Sequence, residues 1–236
     1  MSIQRARKNI LEYTTTEIFL GHNAIGVYIA ISDHASRLNA SSFSQVFGTI
    51  QRHAFDAFIL SLCKLYERPS QRYPNSSIPT TLELLRKNPS ELTSGIQNYV
   101  QPERYIQAHI DETFVVSGDD DTKRIPGLIL DHFSEHCPQT PPRNGKQLDF
   151  ILDALKVLRD KRVAHHENTD LSLLTKTNLD GAIRLLAFAQ TVVNLVGYGF
   201  FGYSRDAEVG VGCFHPQECE VWSSMKELIK GLEKTD

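Results

Sequence analysis

One run of residues, Leu158-Arg159-Asp160-Lys161-Arg162-Val163-Ala164-His165-His166-Glu167, gathers guanidinium, ammonium and imidazole groups in a single short stretch. Imidazole moves protons near neutral pH. A guanidinium fork matches phosphate oxygens and stabilises the charge that develops on a phosphorane. Together they suit attack of a ribose 2′-oxygen on the neighbouring phosphate, a reaction in which no step requires a metal. The same residues also admit a plainer role. Arg159, Lys161 and Arg162 would offset the negative end of their helix dipole, with the histidines capping carbonyls or standing in solvent.

The element that must position this run is an amphipathic helix over residues 146–164. Leu148, Ile151, Leu152, Leu155 and Leu158 recur at three- and four-residue steps, so one face is expected to be buried. Continuing the same rotation places Arg159, Arg162 and His166 on or beside that stripe. Guanidinium groups are costly to bury without anions or acceptors. The pattern therefore predicts a cleft at this end of the helix, of a kind that two subunits can share. Two histidines compete for the proton-transfer role. A helix that continues favours His166, because seven residues nearly restore the azimuth of Arg159. A helix that ends near Ala164 removes that advantage and leaves His165 ahead.

Arg159-Asp160-Lys161-Arg162-Val163-Ala164-His165 resembles the signature of the HEPN superfamily: an arginine, a polar residue, and a histidine after a short spacer. The wording is similar to the abortive-infection branch called AbiU. A second stretch supports that likeness: Phe47-Gly48-Thr49-Ile50-Gln51-Arg52-His53, leading to Leu62-Cys63-Lys64-Leu65-Tyr66-Glu67-Arg68, with a Leu-rich helix after it. In helix order the resemblance spans residues 10–196. It implies an all-α, HEPN-like antiparallel bundle with irregular loops and an extra C-terminal helix. It further implies a homodimer in which Arg159 and His165 of both subunits form one composite site. The implied activity is a metal-independent endoribonuclease toxin, acting in phage defence or under an antitoxin or other defence-system partner, with no cofactor. Asp160 would orient Arg159 or a histidine, Lys161 and Arg162 would bind substrate, and Arg68 would lie near the cleft. Some relatives carry a modifiable tyrosine two residues after the histidine. Here Glu167 holds that position, which departs from that form of control. The competing class is a non-catalytic helical module that binds nucleotide, RNA or a protein through the same patch.

A metal site is the rival chemistry. His132 and His136 stand four residues apart with Cys137 beside them, and His132-Phe133-Ser134-Glu135-His136 fits an inverted H-x-x-E-H pattern. Cys213, His215 and Cys219 offer further soft ligands. Paired C-x-x-C elements, the usual frame of structural zinc, are missing, so no metal is expected. Phosphate-binding glycine loops, G-x-S-x-G elbows and clustered carboxylates are missing as well, which leaves P-loop, esterase and two-metal chemistry without their parts.

Formal net charge is −3 over 236 residues, so no global basic signature marks a non-specific nucleic-acid binder. Charge is nevertheless uneven. Residues 143–166 hold six Lys/Arg against three Asp, a local positive patch able to steer a phosphate backbone to one cleft. Four widely spread cysteines and no secretory leader point to a reducing cytoplasm, and the most apolar run, residues 185–201, is interrupted by Gln190, Thr191 and Asn194. Periodicity predicts helices over 10–37, 43–66, 80–87, 91–116, 128–136, 179–196 and 221–233, and a glycine-rich excursion over 197–220. Without a convincing linker or repeat, residues 1–236 read as a single helical domain.

Overall fold

The computed structural model describes residues 3–68, 70, 72, 75–87, 125–139, 147–164, 176–201 and 220–232. Among these residues all regular structure is helical, and the chain is an all-α bundle. None of the described helices is long and apolar enough to cross a membrane.

The chain enters as α1 (Ile3–Lys8), widens into a π-helical turn π1 (Asn9–Thr14) and continues as α2 (Thr15–Asp33). Helical dihedrals at Lys8, Thr14 and Thr15 make this one unbroken rod. It therefore begins earlier than the 10–37 periodicity suggests. Ala6 and Ile10 are both fully buried, so the apolar stripe extends back by a turn. It also ends earlier, because His34 leaves helical geometry (φ −111°, ψ 11°) ahead of the short α3 (Ala35–Ala40).

The long α4 (Ser44–Leu65) lies antiparallel to α2, and among the described residues the two form the most extensive helix pair. Three contacts fix their register. Gln51 Nε2 donates to Ser32 Oγ at 2.8 Å, the Tyr28 and Phe55 rings lie 5.2 Å apart, and Lys64 Nζ donates to Glu17 Oε1 at 2.9 Å. α5 (Ile78–Arg86) starts at Ser77, whose hydroxyl accepts from Thr80 N, with Pro79 just inside the first turn. α6 (Ile125–His136) packs on α5. α7 (Gln147–Leu158) carries the motif stripe and continues into a second π-helical turn, π2 (Arg159–Ala164). α8 (Lys176–Phe201) packs against α2, α4 and α7, and α9 (Glu220–Leu232) covers α2.

The main core gathers Phe55, Phe58, Leu62, Leu82, Leu152 and Leu185 from four of these helices. A smaller cluster of Ile31, Leu38, Phe47 and Ile229 lies under α9. α7 and α8 approach closely where a Cβ on Gly181 would stand 2.4 Å from Ile151 Cδ1, so only glycine fits there without a shift. Two sequence expectations need correction. The last core helix runs through Gly197 to Phe201 rather than stopping at Val196, because Val196 and Gly197 are themselves buried and packing outweighs the glycine penalty of about 1 kcal/mol. The motif helix does not stay α-helical to Ala164. It changes to i→i+5 winding at Arg159. The expected helix at 91–116 and the excursion from residue 202 onward lie outside the described residues.

Candidate functional site

α7 seats its stripe as the periodicity requires. Leu152, Leu155 and Leu158 are buried against α4 and α8, with Leu148 and Ile151 half-buried at the edge. The next residue on that rotation is Arg159, and there the helix widens. The wide turn reconciles two demands. Leu158 stays in the core at 9% exposure, while the guanidinium after it keeps 36% of its side-chain surface in solvent.

Asp160 holds that guanidinium. Arg159 Nε and Nη2 both donate to Asp160 Oδ1, at 2.8 and 2.6 Å. This bond, more than any other influence, raises the Arg159 pKa further above its already high ordinary value, so the charge is permanent. The pair is too exposed to matter much for stability, about 0–1 kcal/mol at most. Its effect is orientation: one carboxylate oxygen takes one edge of the fork, and among the described residues Nη1 keeps its hydrogens for another acceptor. Lys161 follows on exposed surface, and Lys156 lies half-buried one turn earlier.

π2 packs against the end of α4, which brings Cys63 and Glu67 into the electrostatic neighbourhood of Arg159. Burial pushes the Cys63 thiol up to about 11, against the opposing pull of Arg159 and Lys156. Cys63 is therefore a neutral packing group at neutral pH, with no thiolate to act as a nucleophile. Neither Cys63 nor Glu67 was singled out by residue type. The sequence signal was indirect: both belong to the stretch that precedes Arg68.

Arg68 belongs to a different assembly. Its Nε donates to Gln139 Oε1 at 2.5 Å, and Asn75 Nδ2 donates to its carbonyl at 2.6 Å. Gln139, buried in the left-handed region at φ 68°, donates its backbone N–H to Asp149 Oδ1 at 2.8 Å. Asp149 sits in the first turn of α7, where a carboxylate complements the helix dipole. Ten residues of rise, about 15 Å, separate that turn from Arg159. Arg68 thus anchors the start of the motif helix, and Arg159 stands at its other end. No composition or spacing rule points to Gln139, whose role comes from backbone geometry.

A second set of polar contacts joins π1, α5 and the end of α4. Asn9 Nδ2 donates to Thr81 Oγ1 at 3.2 Å, Thr15 Oγ1 donates to the Ile10 carbonyl at 2.7 Å, and Ser77 Oγ donates to the Glu67 carbonyl at 2.6 Å. Tyr66, fully buried, donates its hydroxyl to the Leu185 carbonyl at 2.5 Å, and burial raises its pKa well above the ordinary tyrosine range.

Of the other residues expected at the site, Arg162 lies in π2 by its backbone, and His165 and His166 lie outside the described residues. The rival ligands divide similarly. His132 and His136 do share a face of α6, but Cys137 is buried and its Sγ donates to the Pro138 carbonyl at 3.4 Å. Cys213, His215 and Cys219 lie outside the described residues. Among those described, no group of three or more His, Cys, Asp or Glu is arranged to hold a metal ion.

The described part of the site is a fixed, partly exposed guanidinium at the end of a half-buried helix, with ammonium groups on either side. Comparison with family models, with curated proteins and with solved structures finds no match to this chain.

Proposed function

We propose that this protein is a metal-independent endoribonuclease acting as a homodimer, in the manner of the HEPN toxins its motif resembles. The observation that carries the proposal is Arg159, oriented by two bonds to Asp160 and left partly open to solvent at the end of the motif helix. A buried arginine locked into a structural network would not support it. This one presents donors outward, six residues before the chain reaches the paired histidines.

In the proposed reaction the ribose 2′-oxygen attacks the adjacent phosphorus, and the bond to the 5′-oxygen of the next nucleotide breaks. His165, or His166 beside it, moves the proton between these oxygens. Arg159 meets the non-bridging oxygens as charge builds on them, and Lys161 and Arg162 draw in the backbone. The products are a 2′,3′-cyclic phosphate and a free 5′-hydroxyl.

The dimer has its own support. The solvent side of α7 carries Phe150 at 71% exposure and Val157 at 54%, with exposed Ala154 between them on the same face. An apolar stripe in water on the helix that also carries Arg159 favours a second copy as its cover. Control by an antitoxin or defence partner completes the proposed setting. End-group analysis of RNA incubated with pure protein tests the reading. Cyclic phosphate and 5′-hydroxyl ends that vanish with Arg159→Ala are expected. Intact RNA with a folded wild-type protein would instead assign the patch to binding alone.

A further inference from the structure

α6 carries a histidine pair that the proposed reaction does not use. His132 and His136 are one helical turn apart, with ring centroids 4.3 Å apart and ring planes inclined at 32°. His136 is exposed and His132 half-buried. Nδ1 of His136 stands 2.9 Å from the His132 carbonyl oxygen. A carbonyl only accepts, so Nδ1 carries the hydrogen, and in the neutral ring this leaves the lone pair on Nε2. That is the tautomer metal-ligating histidines adopt, donating the other ring N–H to a backbone carbonyl. Burial, and then the neighbouring His136, lower the His132 pKa, with Glu135 acting in the opposite sense.

We propose that His132 and His136 together bind one divalent transition-metal ion on the outer face of α6. Imidazole selects zinc, copper or nickel over magnesium and calcium. Metal–nitrogen bonds of about 2.0–2.1 Å are within reach of small rotations of two rings already this close. Among the described residues no third side chain completes the set, and Cys137 is turned into the core, so these two rings are the ligands proposed. Two protein ligands alone bind an ion more weakly and more exchangeably than a closed four-ligand zinc site. The ion would tie down the last turn of α6, which leads through Cys137 and Pro138 to Gln139, the residue that holds both Arg68 and Asp149. This site is independent of the Arg159 site and does not rest on the ribonuclease reading.

Calorimetric titration of the full chain with zinc chloride, and separately with nickel chloride, in a chelator-free buffer at neutral pH tests it. One ion per wild-type chain is expected at this site. His136→Ala and His132→Ala should each weaken that event by roughly tenfold or more, the scale on which even supporting residues of metal sites act. His136 lies on the surface, so its variant keeps the fold and stays informative if His132→Ala perturbs α6. Absence of binding, or binding unchanged in His136→Ala with helical circular dichroism intact, overturns the proposal.

Discussion

Replacing Gly181 with alanine tests how tightly the motif helix is seated. The new Cβ would meet Ile151 Cδ1 at 2.4 Å, Cγ1 at 3.0 Å and Cγ2 at 3.3 Å. Ile151 is β-branched and stiff about χ1, so relief requires a change of rotamer or a shift of α7. Overpacking of this kind costs about 1–3 kcal/mol. Alanine in a helix interior returns about 1 kcal/mol relative to glycine, which leaves a net loss of roughly 0–2 kcal/mol. The coupling to Ile151 is the sharper quantity. Ile151→Val alone should cost about 0.5–1.5 kcal/mol for its lost methyl, toward the lower end because the residue is only half-buried. In the Gly181→Ala background it removes the atom at 2.4 Å and should cost almost nothing, or stabilise. Urea unfolding of the four proteins gives the cycle, with an expected coupling of about 1 kcal/mol. Additivity within about 0.3 kcal/mol would refute the close approach of α7 and α8 and the seating argued from it.

Arg159→Ala should lower RNA cleavage by about 10²–10³-fold, or roughly 3–4 kcal/mol of transition-state stabilisation. Stability should fall by no more than about 1 kcal/mol, because the Arg159–Asp160 pair is too exposed to hold the fold. A loss of rate matched by an equal loss of melting temperature would place Arg159 in the scaffold instead. Phe150→Asp and Val157→Asp should each weaken dimerisation by roughly tenfold or more, since burying such a side chain contributes about 1.5–3 kcal/mol. Light scattering showing a monomeric wild type at micromolar concentration with full activity would contradict the composite site. Tyr66→Phe deletes the buried bond to the Leu185 carbonyl and should cost about 0.5–1.5 kcal/mol, read as a shift of a few degrees in thermal unfolding.

The parts of this fold legible in the sequence are those set by local periodicity. Leu152, Leu155 and Leu158 announce the buried face of α7 because three- and four-residue spacing is a property of the helix alone. The start of α5 was read two residues late, at residue 80, although the Ser77 cap and Pro79 in the first turn that begin it are equally local signals. The π-helical turns were not legible. Polar contacts border the first: Thr15 donates back to the Ile10 carbonyl, and Asn9 reaches Thr81, seventy-two residues away in sequence. Spacing rules carry no information about such partners. The winding change at Arg159 also bears on the choice of histidine. The seven-residue alignment that favoured His166 assumes α geometry, and i→i+5 winding breaks it. Arg68 shows the same limit from another side. Its residue type suited a cleft, but its bond to Gln139 depends on a left-handed backbone at a non-glycine position, which sequence does not announce. The stripe of Phe150 and Val157 was hidden by the stronger pattern on the opposite face of the same helix.

The central claim is that imidazole and guanidinium at the end of the motif helix cleave RNA without a metal. The most direct measurement incubates pure protein with total RNA in excess EDTA, comparing wild type with His165→Ala. Cleavage by wild type in chelator and its loss in His165→Ala, both proteins retaining helical circular dichroism, is the predicted result. Activity that disappears in EDTA and returns with manganese or zinc, or that survives unchanged in His165→Ala and His166→Ala alike, would contradict it.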